Sequence, residues 1–394
     1  MLRKALCICI LLLLAASPAV ADGRSSAAPL PDANKLLQAM TVKQKVGQLF
    51  IIRPDDLDAT LSLDEINDSK AAGVKELTPV MERTLKEYPA GGFALFKKNI
   101  ATPEQLRRFT ADLRAACHLA PVMAIDEEGG RIARIANSKG FTVSKVESME
   151  AIGNTKNPER AREAASTIGR YLAGYGFTMD FAPVADVNTN PENIIIGDRA
   201  FGSAPERVSK MVSAYLDGLH EQGIIGSVKH FPGHGDTRDD THDGTVVVGK
   251  TWDELRKAEL IPFCENFAQA DSIMVAHITL PKVTHDGLPA SLSRELITGK
   301  LREELGYDGV VITDALMMGA VAKNYTPAEA AVLAVEAGND ILLIPWDYQE
   351  AFNGVLDAVQ SGRISEGRLD GSVLRILKLK GEVSKEVPYA VICP

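Results

Sequence analysis

The sequence predicts an α/β fold, a single domain whose parallel sheet closes on itself as a (β/α)8 barrel of the TIM type. Three observations lead there. Eight short runs are apolar on both faces, as strands buried between layers are. Longer segments with helical periodicity alternate with them, the order of a strand–helix repeat. No glycine fingerprint for a dinucleotide is present, and the count of eight favours closure over the competing open, doubly wound sheet.

Taken in order, residues 1–21 read as a targeting segment. Arg3 and Lys4 give a basic start, residues 6–16 an apolar stretch too short to span a bilayer comfortably, and Ala19-Val20-Ala21 a small-residue cleavage site. Cys7 and Cys9 sit inside the apolar stretch rather than just after a cleavage site, so no lipid-modified terminal cysteine is expected. The expectation is export, to a periplasm or beyond the cell, with no stable membrane insertion after cleavage. Residues 22–33 form a flexible lead-in, 34–381 the catalytic barrel domain and 382–394 a tail with no clear element.

The expected strands are 46–52, 92–96, 122–126, 178–187, 227–231, 273–277, 310–314 and 341–345. Between them, residues 103–116 carry Leu106, Phe109 and Leu113 on one face, at spacings of three and four. Segments 158–174 and 205–222 each begin with proline at a first helical position and end near a glycine. Segments 292–306 and 326–338 precede the seventh and eighth strands, and 369–379 is the last helical pattern. Residues 53–89 exceed a standard connection and are rich in charge, reading as an irregular loop plus helix over one barrel face.

Composition excludes some functions. The chain of 394 residues is 45% hydrophobic and 24% charged, ordinary for a soluble globular protein. Its formal charge of -9 falls to -11 without Arg3 and Lys4, and no basic stripe is present, so nucleic acid is not an expected partner. Of five cysteines, Cys117, Cys264 and Cys393 lie beyond the targeting segment. Three is an odd number, so the fold is not built on disulfides.

The chemistry gathers at the carboxyl ends of the strands, where barrel active sites form. The third run ends in Asp126, followed by Glu127 and Glu128; the fifth in Lys229-His230; the sixth in His277; the seventh in Thr313-Asp314. Asp314 follows Val310-Val311-Ile312-Thr313 and precedes Ala315-Leu316, the only carboxylate in its neighbourhood. It reads as a nucleophile or as a cap for the following helix. His242 sits in a glycine-bearing loop with Asp240 two residues earlier. An aspartate bonded to one ring nitrogen fixes the tautomer and raises the basicity of the other. With an ordinary pKa of about 6.5, such a histidine can donate and recover a proton near neutrality. The competing reading makes His230, His234, Asp236, Asp240 and His242 metal ligands. Their spacing matches no compact ligand motif, and Lys229 beside them would repel a cation.

These residues resemble glycoside hydrolase family 3, and within it the bacterial β-N-acetylglucosaminidases, over roughly residues 46–380. The motif Lys229-His230-Phe231-Pro232-Gly233-His234-Gly235-Asp236-Thr237, followed by Asp240-Thr241-His242, carries the resemblance. Asp126-Glu127-Glu128-Gly129-Gly130-Arg131, Ile196-Gly197-Asp198-Arg199-Ala200-Phe201-Gly202 and Thr313-Asp314-Ala315-Leu316 support it in the expected order. The resemblance implies a (β/α)8 barrel without metal or organic cofactor. It implies that Asp314 forms a covalent glycosyl-enzyme intermediate, with His242 as general acid/base and Asp240 as its partner. It implies that Asp126, Arg134, Arg199, Lys229 and His230 grip the terminal sugar of an N-acetylglucosamine-terminated oligosaccharide or muropeptide. The alternatives within the fold are a β-glucosidase or β-xylosidase, or a phosphorylase using phosphate in place of water; outside catalysis, an exported sugar-binding protein. Departures from the family pattern are Ala315 after the nucleophile position, Thr241 where serine is common and Glu127 where glutamine is frequent. The last is expected to alter the charge near the sugar.

Overall fold

The computed structural model describes residues 32–383, apart from 238–240, 242 and 243. Its core is a sheet of eight parallel strands: β1 (Phe50–Ile52), β2 (Gly92–Ala94), β3 (Val122–Ile125), β4 (Met179–Asp180), β5 (Ile225–Phe231), β6 (Ser272–Val275), β7 (Val310–Thr313) and β8 (Leu342–Leu343). They pair in chain order from β1 to β7, and β8 pairs with β1 through Phe50 opposite Leu342. A parallel bridge between Ile312 and Ile341 joins the last two strands and closes the barrel. Every residue of the eight strands is buried, because the barrel interior takes one face and the helices the other.

Helices Pro103–Ala115, Pro158–Gly174, Pro205–His220, Pro327–Ala337 and Tyr348–Gln360 pack around the sheet. The first shows why: Leu106, Phe109, Thr110 and Leu113 are buried along one stripe, and Thr102 caps its start by accepting from Gln105 N–H. No helix among the described residues is long and apolar enough to cross a membrane. Cys117 and Cys264 are both free thiols; Cys393 lies outside the described residues.

Three expectations need correction. Residues 46–48 belong to helix Val42–Gln48 and not to the first strand, because Thr41 and Gln44 form a reciprocal capping box that starts a helix there. The fourth strand is two residues long where ten are expected. Pro183 lacks a ladder donor, and beyond it pairing continues only irregularly, through Ala185 N to Lys229 O and the bridge between Val184 and Lys229. Helix Tyr348–Gln360 is absent from the sequence reading, although Asp347 caps it and Tyr348, Ala351, Phe352 and Val355 repeat at helical spacing. The segment 53–89 is as expected, an irregular stretch with helices Leu63–Asn67 and Pro79–Glu87.

Candidate active site

At the carboxyl ends of the strands lies a cavity of about 190 Å³. Asp126, Arg134, Arg199, Lys229, His230 and Asp314 all line it, six side chains from four βα loops and strand ends. Asp240 and His242 lie outside the described residues. Thr241, between them in sequence, is buried, lines the same cavity and accepts from Ala320 N–H through its carbonyl.

The charged floor comes from β3 to β5. Lys229, buried on β5, donates to Asp126 Oδ1 at 2.9 Å and lies 2.7 Å from Glu128 Oε1. Arg199 grips Glu128 with two bonds, Nε to Oε2 at 2.8 Å and Nη2 to Oε1 at 2.7 Å. Arg134 reaches Asp126 Oδ2 at 3.3 Å. Burial pushes both carboxyls up, but the facing cations outweigh it. Arg199 and Lys229 hold Glu128 down at about 2, and Lys229 and Arg134 hold Asp126 well below the usual range. Burial pushes the Lys229 ammonium down, and Asp126 and Glu128 more than restore it. Glu128 is therefore consumed by its clamps. Asp126, with a side chain 22% exposed, keeps an ionised oxygen edge for a ligand's hydroxyl groups.

Glu127 behaves otherwise. The backbone alternates as it leaves β3, so Asp126 and Glu128 face the cavity and Glu127 faces away. Its carboxyl accepts Ile135 N–H at 2.8 Å, Ala136 N–H at 2.9 Å and the Tyr171 hydroxyl at 2.8 Å. Burial raises its pKa. The expectation that Glu127 alters the charge beside the sugar is thus corrected: this side chain fixes the turn that delivers Arg134.

A short antiparallel hairpin, Glu127–Gly129 with Ile132–Ala133, makes that turn, with positive φ at Gly129 and Gly130. Arg131 follows it and pins the next loop. Its Nε donates to Asp198 at 2.8 Å, and its Nη2 donates to the carbonyls of Ile194 and Ile195 at 3.0 and 2.8 Å. Arg199 thereby enters the site on an otherwise irregular segment.

His230 is held by Asp186, which accepts from its backbone N–H at 3.2 Å and from Nδ1 at 2.7 Å. Nδ1 therefore carries a proton, and Nε2 remains for a ligand where the ring lines the cavity. Burial raises the Asp186 carboxyl, but the adjoining His230 pulls it below its ordinary value. The loop beyond is tight. Gly233 has φ +125°, and a Cβ on Gly235 would lie 2.0 Å from the Val187 carbonyl oxygen, so neither position takes another residue without strain.

Asp314 directly follows β7. Its N–H donates to Val275 O at 2.9 Å, and Oδ1 accepts from Ala315 N–H at 2.8 Å. His277 does not line the cavity. It is fully buried, with Nε2 2.9 Å from Ala315 O and Nδ1 2.6 Å from the Ser291 hydroxyl, and it steadies the backbone beside Asp314. Sequence reasoning missed Glu128, Asp186 and His234 as parts of the site. Glu128 and His234 stand inside quoted motifs and Asp186 in the expected fourth strand, but their partners are 44 to 71 residues distant in the chain. Among the described residues no three His, Cys, Asp or Glu side chains are grouped to hold a metal ion.

This arrangement has relatives. The chain is 32% identical over 335 residues to Beta-hexosaminidase A of Pseudoalteromonas piscicida, covering 78% of this chain and 56% of that protein. It is 36% identical over 270 residues to Beta-hexosaminidase LpqI of Mycobacterium tuberculosis, covering 66% and 68%. The solved structure of a glycoside hydrolase family 3 β-N-acetylglucosaminidase from Paenibacillus sp. str. FPU-7 superposes with a TM-score of 0.79 at 38% identity, over 90% of this chain and 65% of that one. The chain thus spans less than two thirds of the length of the first and last of these. The family model described as the glycosyl hydrolase family 3 N terminal domain matches residues 41–379, and the chain belongs to that family.

Proposed function

We propose that this protein is a retaining, exo-acting β-N-acetylglucosaminidase that removes terminal N-acetylglucosamine from an oligosaccharide or muropeptide. The observation that carries this reading is the position of Asp314. A carboxylate at the end of β7 opens on the same cavity as Asp126, Arg134, Arg199, Lys229 and His230. Relatives named as β-hexosaminidases at 32% and 36% identity support the substrate class.

In the proposed reaction, Asp126, Arg134, Arg199, Lys229 and His230 hold the sugar's hydroxyls and acetamido group. The Asp314 carboxylate bonds to the anomeric carbon as the glycosidic carbon–oxygen bond breaks. His242, oriented by Asp240, gives its proton to the departing oxygen. Water then attacks the same carbon, returns a proton to His242 and releases Asp314, so two inversions give net retention. Thr241 at the cavity wall supports placing the acid/base on this loop. We read residues 1–21 as an export signal, which puts the activity in a periplasm or outside the cell.

The test uses aryl N-acetyl-β-glucosaminides with product anomers followed by NMR. The β-anomer should appear first and then mutarotate; initial release of the α-anomer would overturn the nucleophile assignment. The His242→Ala variant should keep the first step for good leaving groups and lose it for poor ones. Equal losses for both would remove His242 from the acid role.

A further inference from the structure

One ring nitrogen at the cavity has no partner among the described residues. His234 is 3% exposed and lines the same cavity as Asp314 and His230. Its backbone is fixed: its N–H donates to Asp186 Oδ1 at 2.6 Å, and its carbonyl accepts from Asn193 Nδ2 at 2.8 Å. Ring Nδ1 lies 2.7 Å from Thr237 Oγ1. Ring Nε2 is buried and bonded to nothing among the described residues. A buried nitrogen left in that state is costly, and in a finished fold it signals an absent partner.

Hydrogen-bond accounting gives the sign of that partner. Thr237 has one hydroxyl proton, and its oxygen lies 2.9 Å from His234 O, to which it donates. The same oxygen accepts from Asn193 Nδ2 at 3.4 Å. It is therefore an acceptor towards Nδ1, which carries the ring proton. A neutral imidazole protonated at Nδ1 presents a lone pair at Nε2. Burial, which lowers the pKa of this ring, keeps it in that neutral form.

We propose that His234 is a further substrate-binding residue, whose Nε2 accepts a hydrogen bond from a hydroxyl of the terminal pyranose seated against Asp314. The proposal rests on the glycosidase reading above and deepens it. His230 and His234 then form two imidazole contacts to one sugar, their ring centroids 6.0 Å apart, with Asp186 anchoring the backbone of both. Thr237 sets the tautomer, so His234 selects a donor on the sugar and rejects an analogue that lacks it.

The test compares the full chain with its His234→Leu, His234→Gln and Thr237→Val variants on an aryl N-acetyl-β-glucosaminide. A panel in which one sugar hydroxyl at a time is replaced by hydrogen accompanies it. His234→Leu should lower kcat/KM roughly tenfold on the parent substrate. At one ring position the deoxy analogue should be roughly tenfold poorer than the parent for the unaltered protein and no poorer for the leucine variant. His234→Gln, which keeps an acceptor, should recover part of that discrimination. Should the leucine variant fail to fold, Thr237→Val carries the same comparison, losing discrimination at that one position only. Variants that fold and discriminate across the panel as the unaltered protein does would overturn the proposal, whatever their overall activity. Absence of turnover of every glycoside by the unaltered protein would instead sink the glycosidase reading and this inference with it.

Discussion

Two clusters of buried charge occupy opposite ends of the barrel, and they differ in what they leave open. At the carboxyl ends of the strands, Asp126 and Glu128 are met by Lys229, Arg199 and Arg134. At the amino ends, Asp340, fully buried just before β8, is met by Arg302 at 2.7 Å, Arg375 at 3.5 Å and Arg368 at 3.9 Å. Asp340 also accepts from Val311 N–H at 3.0 Å and from the Ser372 hydroxyl, so it ties the start of β7 to the last helix. Every oxygen of Asp340 is spoken for by the protein. Asp126 in the upper cluster is not so enclosed, and Nε of Arg134 beside it is buried without a hydrogen-bond partner among the described residues. Buried charge alone therefore does not mark function; unfilled hydrogen-bonding capacity facing a cavity does.

The largest expected effect separates chemistry from stability. Asp314→Asn keeps the shape of the side chain and removes its charge. Turnover of an aryl N-acetyl-β-glucosaminide should fall by about 10⁴-fold or more, with the thermal midpoint unchanged. A folded variant retaining more than a tenth of the activity would contradict the assignment.

Next come the two clusters themselves. Glu128→Ala leaves Lys229 and Arg199 facing each other in the interior, and Asp340→Ala does the same to Arg302 and Arg375. Each should cost about 3–5 kcal/mol in urea denaturation. Only the first should also impair turnover per folded molecule, because only its partners line the cavity. Equal kinetic damage from both would erase the distinction between the two ends.

The pH dependence sharpens it further. Glu128 has a folded pKa of about 2 against an ordinary 4.5, so its contribution to stability is present above about 4.5 and lost as pH falls towards 2. That difference corresponds to about 3 kcal/mol. Unfolding followed from pH 6 to pH 2 should show the stability gap between the unaltered protein and Glu128→Gln closing over that interval. A gap that stays constant would mean the carboxylate is not held by its cations.

The smallest effect belongs to the strap at the rim. Arg131→Met frees the segment 194–198 without touching the cavity directly. KM should rise a few-fold with kcat nearly kept, and stability should change by less than about 1 kcal/mol. A fall in kcat without change in KM would place Arg131 in the chemistry instead.

Much of this architecture is legible in the sequence because parallel barrel strands have little freedom in composition. Runs such as 122–126 and 310–314 need both faces apolar, and their last residues then project at the active end, which is why Asp126, Lys229, His230 and Asp314 stand out. The first strand misleads because Val46 stands just before the apolar run that starts at Leu49, while the Thr41 cap holds residues up to Gln48 in a helix. Glu128, Asp186 and His234 are invisible for another reason. Their roles depend on Arg199 meeting Glu128, and Asp186 meeting His230 and His234, across 44 to 71 residues of chain, and no local pattern encodes that meeting. The choice between Glu127 and Glu128 rests on backbone alternation after β3, which a strand boundary wrong by one residue reverses. The dyad of Asp240 and His242 lies outside the described residues, and its role stands as proposed.

The role proposed for Asp314 is tested most directly by trapping the protein with a 5-fluoro N-acetyl-β-glucosaminyl fluoride and locating the adduct by peptide mass spectrometry. One added sugar is expected, on the peptide containing Asp314, with loss of activity in proportion. A sugar on any other carboxylate, or inactivation with no sugar attached, would contradict that role.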